Sequence, residues 1–167
     1  LITAGVPEED PKVQGLLQKI LAGPLATTYE VSLQAMALEE LNRVKHQRRI
    51  AQCGQFLVDN QCRNGQWSYG KPRVAVETLD VPTNAGGSAV ASQGGVRTFG
   101  TPAKGEKPAV LRKIPVRKTR EGPDGGDNSN AQYALLGLRA CMLADVVIPA
   151  DVFARARKGW LATQNKD

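Results

Sequence analysis

The twelve residues 56–67 constrain the fold of this chain more than any other stretch. They read Phe-Leu-Val-Asp-Asn-Gln-Cys-Arg-Asn-Gly-Gln-Trp, an apolar pair followed by a glutamine and then by Gly-x-Trp. A glutamine at a helix end, here Gln61, can bond to backbone groups that the helix leaves unpaired. Gly65 permits the dihedral angles of a tight turn, and Trp67 can cover a helix interface with a large apolar ring. We therefore predict a structural motif, with Phe56 and Leu57 on the helix before it, rather than a ligand site.

Five segments carry apolar residues at helical spacing, and together they predict an all-α fold. Asp10 and Pro11 open the first segment, because Asp is a common N-cap and Pro suits the first helical position. Aromatic residues make up only 5% of the chain, which suits helices built on Ala and Leu. The predicted helices cover about 11–22, 29–42, 46–60, 127–144 and 150–164.

Residues 71–126 lack this periodicity and predict one long, mostly irregular insertion with a short extended piece at 110–116. The segment is rich in Gly, Pro, Ser, Thr and Lys, and it holds ten basic and five acidic residues of a chain whose net charge is +6. A segment with this charge could bind an anionic membrane, a nucleic acid or an acidic partner, or the charge could simply keep a loop solvated. No aromatic residue lies between the basic residues of 111–120, so nucleic-acid binding is not expected.

The helical segments form an internal repeat. Residues 29–38 align with 129–138 at an offset of 100, and the third and last helices align at an offset of 103, which superposes Gln61 on Gln164. Two kinds of helix therefore alternate along the chain. One kind ends in Gln and a turn, and the other opens with polar residues and continues apolar.

The spacing of Gln61, Gly65 and Trp67 resembles the QW motif of the squalene and oxidosqualene cyclases and of the wider α/α-toroid family, which includes the protein prenyltransferase β subunits. Residues 126–140 are similar to a bacterial subgroup of prenyltransferase/squalene-oxidase repeat proteins, mostly of unassigned function. The resemblance covers about 1–70 and 122–167. It implies a partial α/α toroid of helical hairpins, in which 1–70 and 127–167 form one domain interrupted by the insertion.

Residues 160–165 resemble a second QW motif that stops before its Gly-x-Trp. The resemblance therefore implies a segment of a longer ring, with the remaining repeats or another protomer as expected partners. Repeats of this kind bury their faces only against their neighbours.

The resemblance also implies a central cavity, toward which the inner helices point their N-terminal ends. Helix N-termini favour anions and polar ligands, so Glu30, Asp127 and Asn130 are candidates for lining this cavity. The alternative for Asp127 is a plain helix cap, whose carboxylate bonds to the amides of the first turn. Neither Glu30 nor Asn130 is expected to be needed as a cap.

The chain lacks the groups that do chemistry in the resembled enzymes. The cyclases use an Asp-x-Asp-Asp cluster as their acid, and the sequence has none. The prenyltransferases bind zinc through Asp, Cys and His, whereas this chain has one histidine and three scattered cysteines, of which Cys53 and Cys141 fall on apolar helix faces. No catalytic residue, metal ligand or cofactor is predicted.

Together with this resemblance, the sequence leads us to expect a binding or scaffold module of a larger bacterial protein. Its expected partner is an apolar, isoprenoid-like ligand or another protein. The alternatives are a terpene-cyclase-like or prenyltransferase-like enzyme, whose catalytic residues lie in other repeats, and a basic interaction module working through 71–126. No apolar run approaches the roughly 20 residues that a membrane span needs, and the sequence assigns no compartment.

Overall fold

The computed structural model describes residues 6–71, 107 and 109–164. Within these residues the chain is mostly helical, which confirms the predicted all-α class. Each helix that the periodicity predicts is present, with ends within a residue or two of the predicted ones. The elements are α1 (Pro11–Ala22), α2 (Thr28–Asn42), α3 (Gln47–Asn60), β1 (Ile114–Pro115), α4 (Asn128–Leu143), β2 (Val146–Val147) and α5 (Ala150–Thr163).

Helices α2 and α4 lie side by side and run in the same direction. Their N-terminal ends attach to one stretch of chain, because the amide of Thr28 donates to the carbonyl of Tyr69 at 2.7 Å and that of Asp127 to the carbonyl of Trp67 at 2.9 Å. At the opposite ends, the guanidinium of Arg43 donates to the last carbonyl of α4 at 2.9 Å. The two helices, which begin 100 residues apart, are therefore parallel neighbours.

Helix α3 runs antiparallel to this pair and packs behind both helices. Near its start, the carbonyl of Ile50 accepts from the Cys141 thiol at 3.4 Å, close to the end of α4. Near its end, the Leu57 side chain touches the middle of α4 at Gly137. Cys53 and Cys141, which the sequence places on apolar helix faces, are both fully buried here. The apolar centre is formed by α2, α3 and α4 together, with Leu38, Ile50, Phe56, Leu57, Trp67 and Leu138 among its largest fully buried side chains.

Gly137 sets the distance between α2 and α4. A Cβ atom at this position would lie 2.8 Å from the Cα of Ser32. Ordinary carbon contacts are longer, so a side chain here would push the two helices apart. By contrast, a Cβ atom at Gly15 on α1 would meet nothing within 4 Å.

These two glycines predict opposite responses to the same change. Gly137→Ala should destabilise the fold by about 1–3 kcal/mol, because overpacking forces the helices to separate. Gly15→Ala should stabilise it by about 0.5–1 kcal/mol, because alanine has the better helix propensity and no contact opposes it. Urea unfolding followed by circular dichroism measures the free energy of unfolding of both variants. Equal changes in this free energy for the two variants would contradict the packing argument.

Residues 109–126, which we call the strap, cover the side of α3 that faces away from α2 and α4. Gln55 on α3 holds the strap at Arg117, donating to its carbonyl at 2.6 Å and accepting from its amide at 3.3 Å. The fully buried carboxylate of Asp59 accepts from the amide and the hydroxyl of Thr119 at 2.7 and 2.9 Å. Lys118 donates to the carbonyl of Gln61 at 3.0 Å and so caps the end of α3.

The strap contains the predicted extended piece, although it is shorter than 110–116. Strand β1 pairs in parallel with β2, with Ile114 opposite Val146. Ile114 and Val116 point into the core, so this basic segment is fastened by alternate apolar side chains as well as by hydrogen bonds. The remainder of the predicted insertion, 72–106 and 108, lies outside the described residues.

The buried imidazole of His46 lies beside the start of α3, with its Nε2 atom 3.8 Å from Glu8 Oε1. Burial lowers the pKa of His46, the Glu8 carboxylate opposes this shift and the Lys45 ammonium adds to it. The imidazole of His46 therefore binds a proton more readily in the unfolded chain than in the folded chain. The contribution of neutral His46 to the free energy of unfolding is complete above about pH 6.5 and declines as the pH falls below that value.

We expect the urea midpoint to fall between pH 7.5 and pH 5.5. His46→Gln, which cannot titrate in this range, should show a smaller fall over the same interval. The same pH slope in the variant and the parent would assign the effect to other groups.

Candidate functional site

The turn 61–67 fastens the end of α3 to the start of α5. Gln61 is fully buried, and its side-chain Nε2 donates to the carbonyl of Val152 in the first turn of α5 at 2.8 Å and to the carbonyl of Gly65 at 3.0 Å. One glutamine thus closes its own turn and also bonds to α5, two helices further along the chain. The contact to Val152 spans 91 residues of sequence.

Gly65 lies where the turn presses against α5. Its φ is +88°, and a Cβ atom there would collide with the carbonyl group of Arg155. Gly159, four residues after Arg155 in α5, also lies against residues 61–67. A Cβ atom at Gly159 would lie 2.6 Å from the carbonyl oxygen of Asn64. The turn and α5 therefore approach as two backbones without intervening side chains.

Trp67 is the last residue of the turn, and its backbone contacts the N-cap residue of α4. Its indole is fully buried and its Nε1 donates to the carbonyl of Leu57 at 2.7 Å. Its backbone forms bridges with Gln61 on one side and Asp127 on the other. Phe56 is also fully buried. The five residues of the predicted motif thus lie together in one cluster at the ends of α3, α4 and α5.

Two of the cavity-lining candidates contact each other at the start of α4. Asp127 is the N-cap, and its carboxylate accepts from the backbone amide and the side-chain amide of Asn130, both at 2.8 Å. Burial would raise the pKa of the Asp127 carboxyl, but the hydrogen bonds from Asn130 and from the amide of Ser129 outweigh it and lower the pKa. Asp127 is therefore ionised near neutral pH and is a poor proton donor.

Glu30 occupies the same position on α2 as Asn130 does on α4. The structure places it in the cap, which differs from the sequence expectation: the hydroxyl of Thr27 donates to its carboxylate at 2.9 Å, and its amide donates back to that hydroxyl at 3.3 Å. Glu30 is exposed, whereas Asn130 is buried. The three candidates thus lie in the first turns of two parallel helices, in two separate caps.

An exposed apolar surface continues from these caps along the same side of the helices. It consists of Tyr29 and Leu33 on α2 and of Tyr133 and Leu136 on α4, and we call it the α2–α4 face. The two tyrosine rings meet edge to face with centroids 4.5 Å apart, yet Tyr29 stays 44% exposed, Leu33 39% and Leu136 37%. Sequence reasoning missed this face, although apolar residues on the side of each helix away from the core were the available signal.

The three cysteine thiols are free and buried. Burial raises the pKa of the Cys53 thiol to about 12 and those of Cys62 and Cys141 above the ordinary value. Thiolates, not thiols, are the nucleophiles and metal ligands, so these groups suit neither role. Among the described residues, no three or more His, Cys, Asp or Glu side chains are placed to hold a metal ion.

Within the described ranges, none of the helices combines the length and the apolar character that crossing a membrane requires. Comparison of the chain with protein-family models, with curated proteins and with solved structures gave no match.

Proposed function

We propose that this chain is a segment of an α/α toroid and acts as a binding or scaffold module within a larger bacterial protein. The helix arrangement supports the proposal, because α2 and α4 would be neighbouring inner helices and α3 the outer helix between them. Their caps, Thr27 and Asp127, also stand 100 residues apart, as the internal repeat requires. In this view the turn 61–67 is a QW-type turn, whose glutamine and glycine fasten one outer helix to the next.

The α2–α4 face is the observation that carries the binding function. In a toroid it would look into the central cavity, and its two tyrosines offer flat apolar rings with a hydroxyl group each. Exposed apolar surface of this kind marks ligand or protein contacts in soluble proteins. The expected ligand is apolar and isoprenoid-like, with a protein segment as the other candidate. Glu30, Asp127 and Asn130 would form the polar rim of this surface.

The rim is better suited to position a ligand than to transform it. The carboxylate of Asp127 accepts hydrogen bonds from Asn130, which lower its pKa. Protonation of an alkene by this carboxyl is therefore not expected at neutral pH. An enzyme of the cyclase or prenyltransferase type would need its acid or its zinc ligands from other repeats. We therefore propose binding rather than catalysis for the segment described here.

Titration with farnesol, an apolar isoprenoid alcohol, tests the proposal when followed by protein NMR. We expect saturable binding, with the largest shifts on the α2–α4 face. Tyr133→Ala should weaken binding by about tenfold, equivalent to about 1.4 kcal/mol. Leu111→Ala is the control, since Leu111 is 88% exposed on the strap, which covers the side of α3 that faces away from α2 and α4, and it should bind as the parent does.

Two results would count against this function. Equal loss of binding for Tyr133→Ala and Leu111→Ala, or no binding at all, would remove the α2–α4 face as an isoprenoid site. Turnover of squalene or of a prenyl diphosphate that Asp127→Asn abolishes would replace the binding module by the enzyme alternative.

A further inference from the structure

Asn64 and Gly65 form the one Asn-Gly pair of this sequence, and they lie in the turn 61–67. Asn-Gly pairs are prone to spontaneous deamidation, because the glycine nitrogen has no neighbouring side chain to hinder its attack on the asparagine side chain. Asn64 is exposed, so water and base reach it. The pair is therefore open to modification in any state of the chain that frees the amide of Gly65.

The folded turn holds both reacting groups. The amide of Gly65 donates to the carbonyl of Cys62 at 2.9 Å. The side chain of Asn64 is bonded at both ends to Gln66, since its Oδ1 accepts from the backbone amide at 3.1 Å and its Nδ2 donates to Oε1 at 2.7 Å. A hydrogen-bonded amide loses its proton to base less readily, and a side chain held at both ends is not free to meet it. The closed turn therefore suppresses the reaction.

The bonds at Gln66 continue into α4 and α5. Gln66 is only 3% exposed, and its Nε2 donates to Asn128 Oδ1, in the first turn of α4, at 2.6 Å. The same oxygen accepts from the hydroxyl of Thr163, the last residue of α5, at 3.3 Å. Each amide in this series has one direction, because every donor faces an acceptor. Helix α5 thus holds the turn by these bonds and by its backbone contacts with Asn64 and Gly65.

We propose that Asn64 is a deamidation site that becomes reactive when α5 opens, and that its modification keeps α5 from closing again. In the reaction, the nitrogen of Gly65 forms a bond to Cγ of Asn64, and the bond from Cγ to Nδ2 breaks. The proton of the Gly65 amide leaves with Nδ2 as ammonia. One water molecule then opens the succinimide ring and gives either aspartate or isoaspartate at position 64.

Both products disturb the closed turn. Aspartate lacks the Nδ2 donor and places an oxygen against Gln66 Oε1, so two acceptors face each other. Isoaspartate lengthens the main chain by one carbon and converts the former carbonyl group of residue 64 into a carboxylate. That group lies against α5, where a Cβ atom at Gly159 would already be 2.6 Å from the carbonyl oxygen of Asn64. Either product therefore loosens the contact between the turn and α5.

Peptide mass spectrometry of the full chain after incubation in mildly alkaline buffer measures the reaction, and electron-transfer fragmentation distinguishes isoaspartate from aspartate. The same protein in concentrated urea is the unfolded reference. We expect Asn64 to deamidate more slowly in the folded chain by on the order of tenfold or more, because opening of α5 must come first. Equal rates in the two states would overturn the proposal, since the closed turn would then give no protection.

Two variants separate opening of α5 from unfolding of the whole chain. Gln61→Ala removes the bond to Val152 in α5 and should speed deamidation of the folded protein by about threefold or more. Gly137→Ala weakens the contact between α2 and α4, and it should leave the rate near that of the parent under conditions where both variants stay folded. Equal rates for the two variants would overturn the proposal, because Asn64 would then react independently of α5.

The modified protein tests the consequence. Ion exchange separates it from the parent by its added negative charge, and hydrogen exchange then compares the two forms. We expect the amides of α5 to exchange faster in the modified protein, while those in the middle of α2 and α4 keep their protection. Unchanged exchange in α5 would overturn the proposal, since the modification would then leave this helix closed.

Discussion

Replacing Trp67 by alanine is expected to lower the free energy of unfolding by about 3–5 kcal/mol. The indole is fully buried and donates to the carbonyl of Leu57. Its removal would leave a cavity where α3, α4 and the turn 61–67 meet, and would leave that carbonyl without its partner. Urea unfolding followed by circular dichroism measures the loss.

Two substitutions separate the parts of this effect. Trp67→Phe keeps most of the apolar volume but removes the indole donor, so its loss should be about 1–3 kcal/mol. Tyr69→Ala, two residues away and 75% exposed, should change stability by about 0.5 kcal/mol or less. A Trp67→Ala protein as stable as the Tyr69→Ala control would show that the ring covers no essential interface.

The helices could be predicted because their signals are local. Asp10, Pro11 and Asp127 mark helix starts by their own chemistry, and the structure places both aspartates at N-caps. The motif at 56–67 could likewise be recognised as a cluster of helix-end residues. Such signals need only the spacing of neighbouring residues, which a single sequence contains.

The contacts that shape the candidate site are not local, and the sequence carried no signal for most of them. The bond from Gln61 to Val152 spans 91 residues and depends on where α5 lies. Glu30 was predicted to be unnecessary as a cap, although Thr27, three residues before it, could have suggested the reciprocal bonds. The fastening of the strap to Asp59 depends on tertiary packing that overrides its loop-like composition.

The α2–α4 face shows why periodicity alone leaves function open. Leu33 and Leu136 continue the apolar pattern of their helices beyond the arc that the core buries, and spacing does not separate core from surface in such a wide stripe. Only the parallel packing of α2 and α4 shows that these residues end on one exposed surface beside the tyrosine pair.

Gly65→Ala is the second large effect that the structure predicts, at about 2–5 kcal/mol of lost stability. Part of the loss is the cost of a side chain at a φ of +88°, and part is the collision of the new Cβ with the carbonyl group of Arg155. Gly125→Ala is the matched control in a nearby loop, because its nearest contact would be Asn64 Nδ2 at 4.0 Å, and it should be almost neutral.

The loss should be confined to the junction with α5, which hydrogen exchange can resolve. We expect the amides of α5 to exchange faster in Gly65→Ala, while those in the middle of α2 and α4 keep their protection. Gln61→Ala should give the same pattern, since it removes the bond to Val152. Because both residues hold the same helix, the double variant should lose less stability than the two single losses added together. Strict additivity, or faster exchange in α2, would mean that the turn 61–67 does not act as a single fastening for α5.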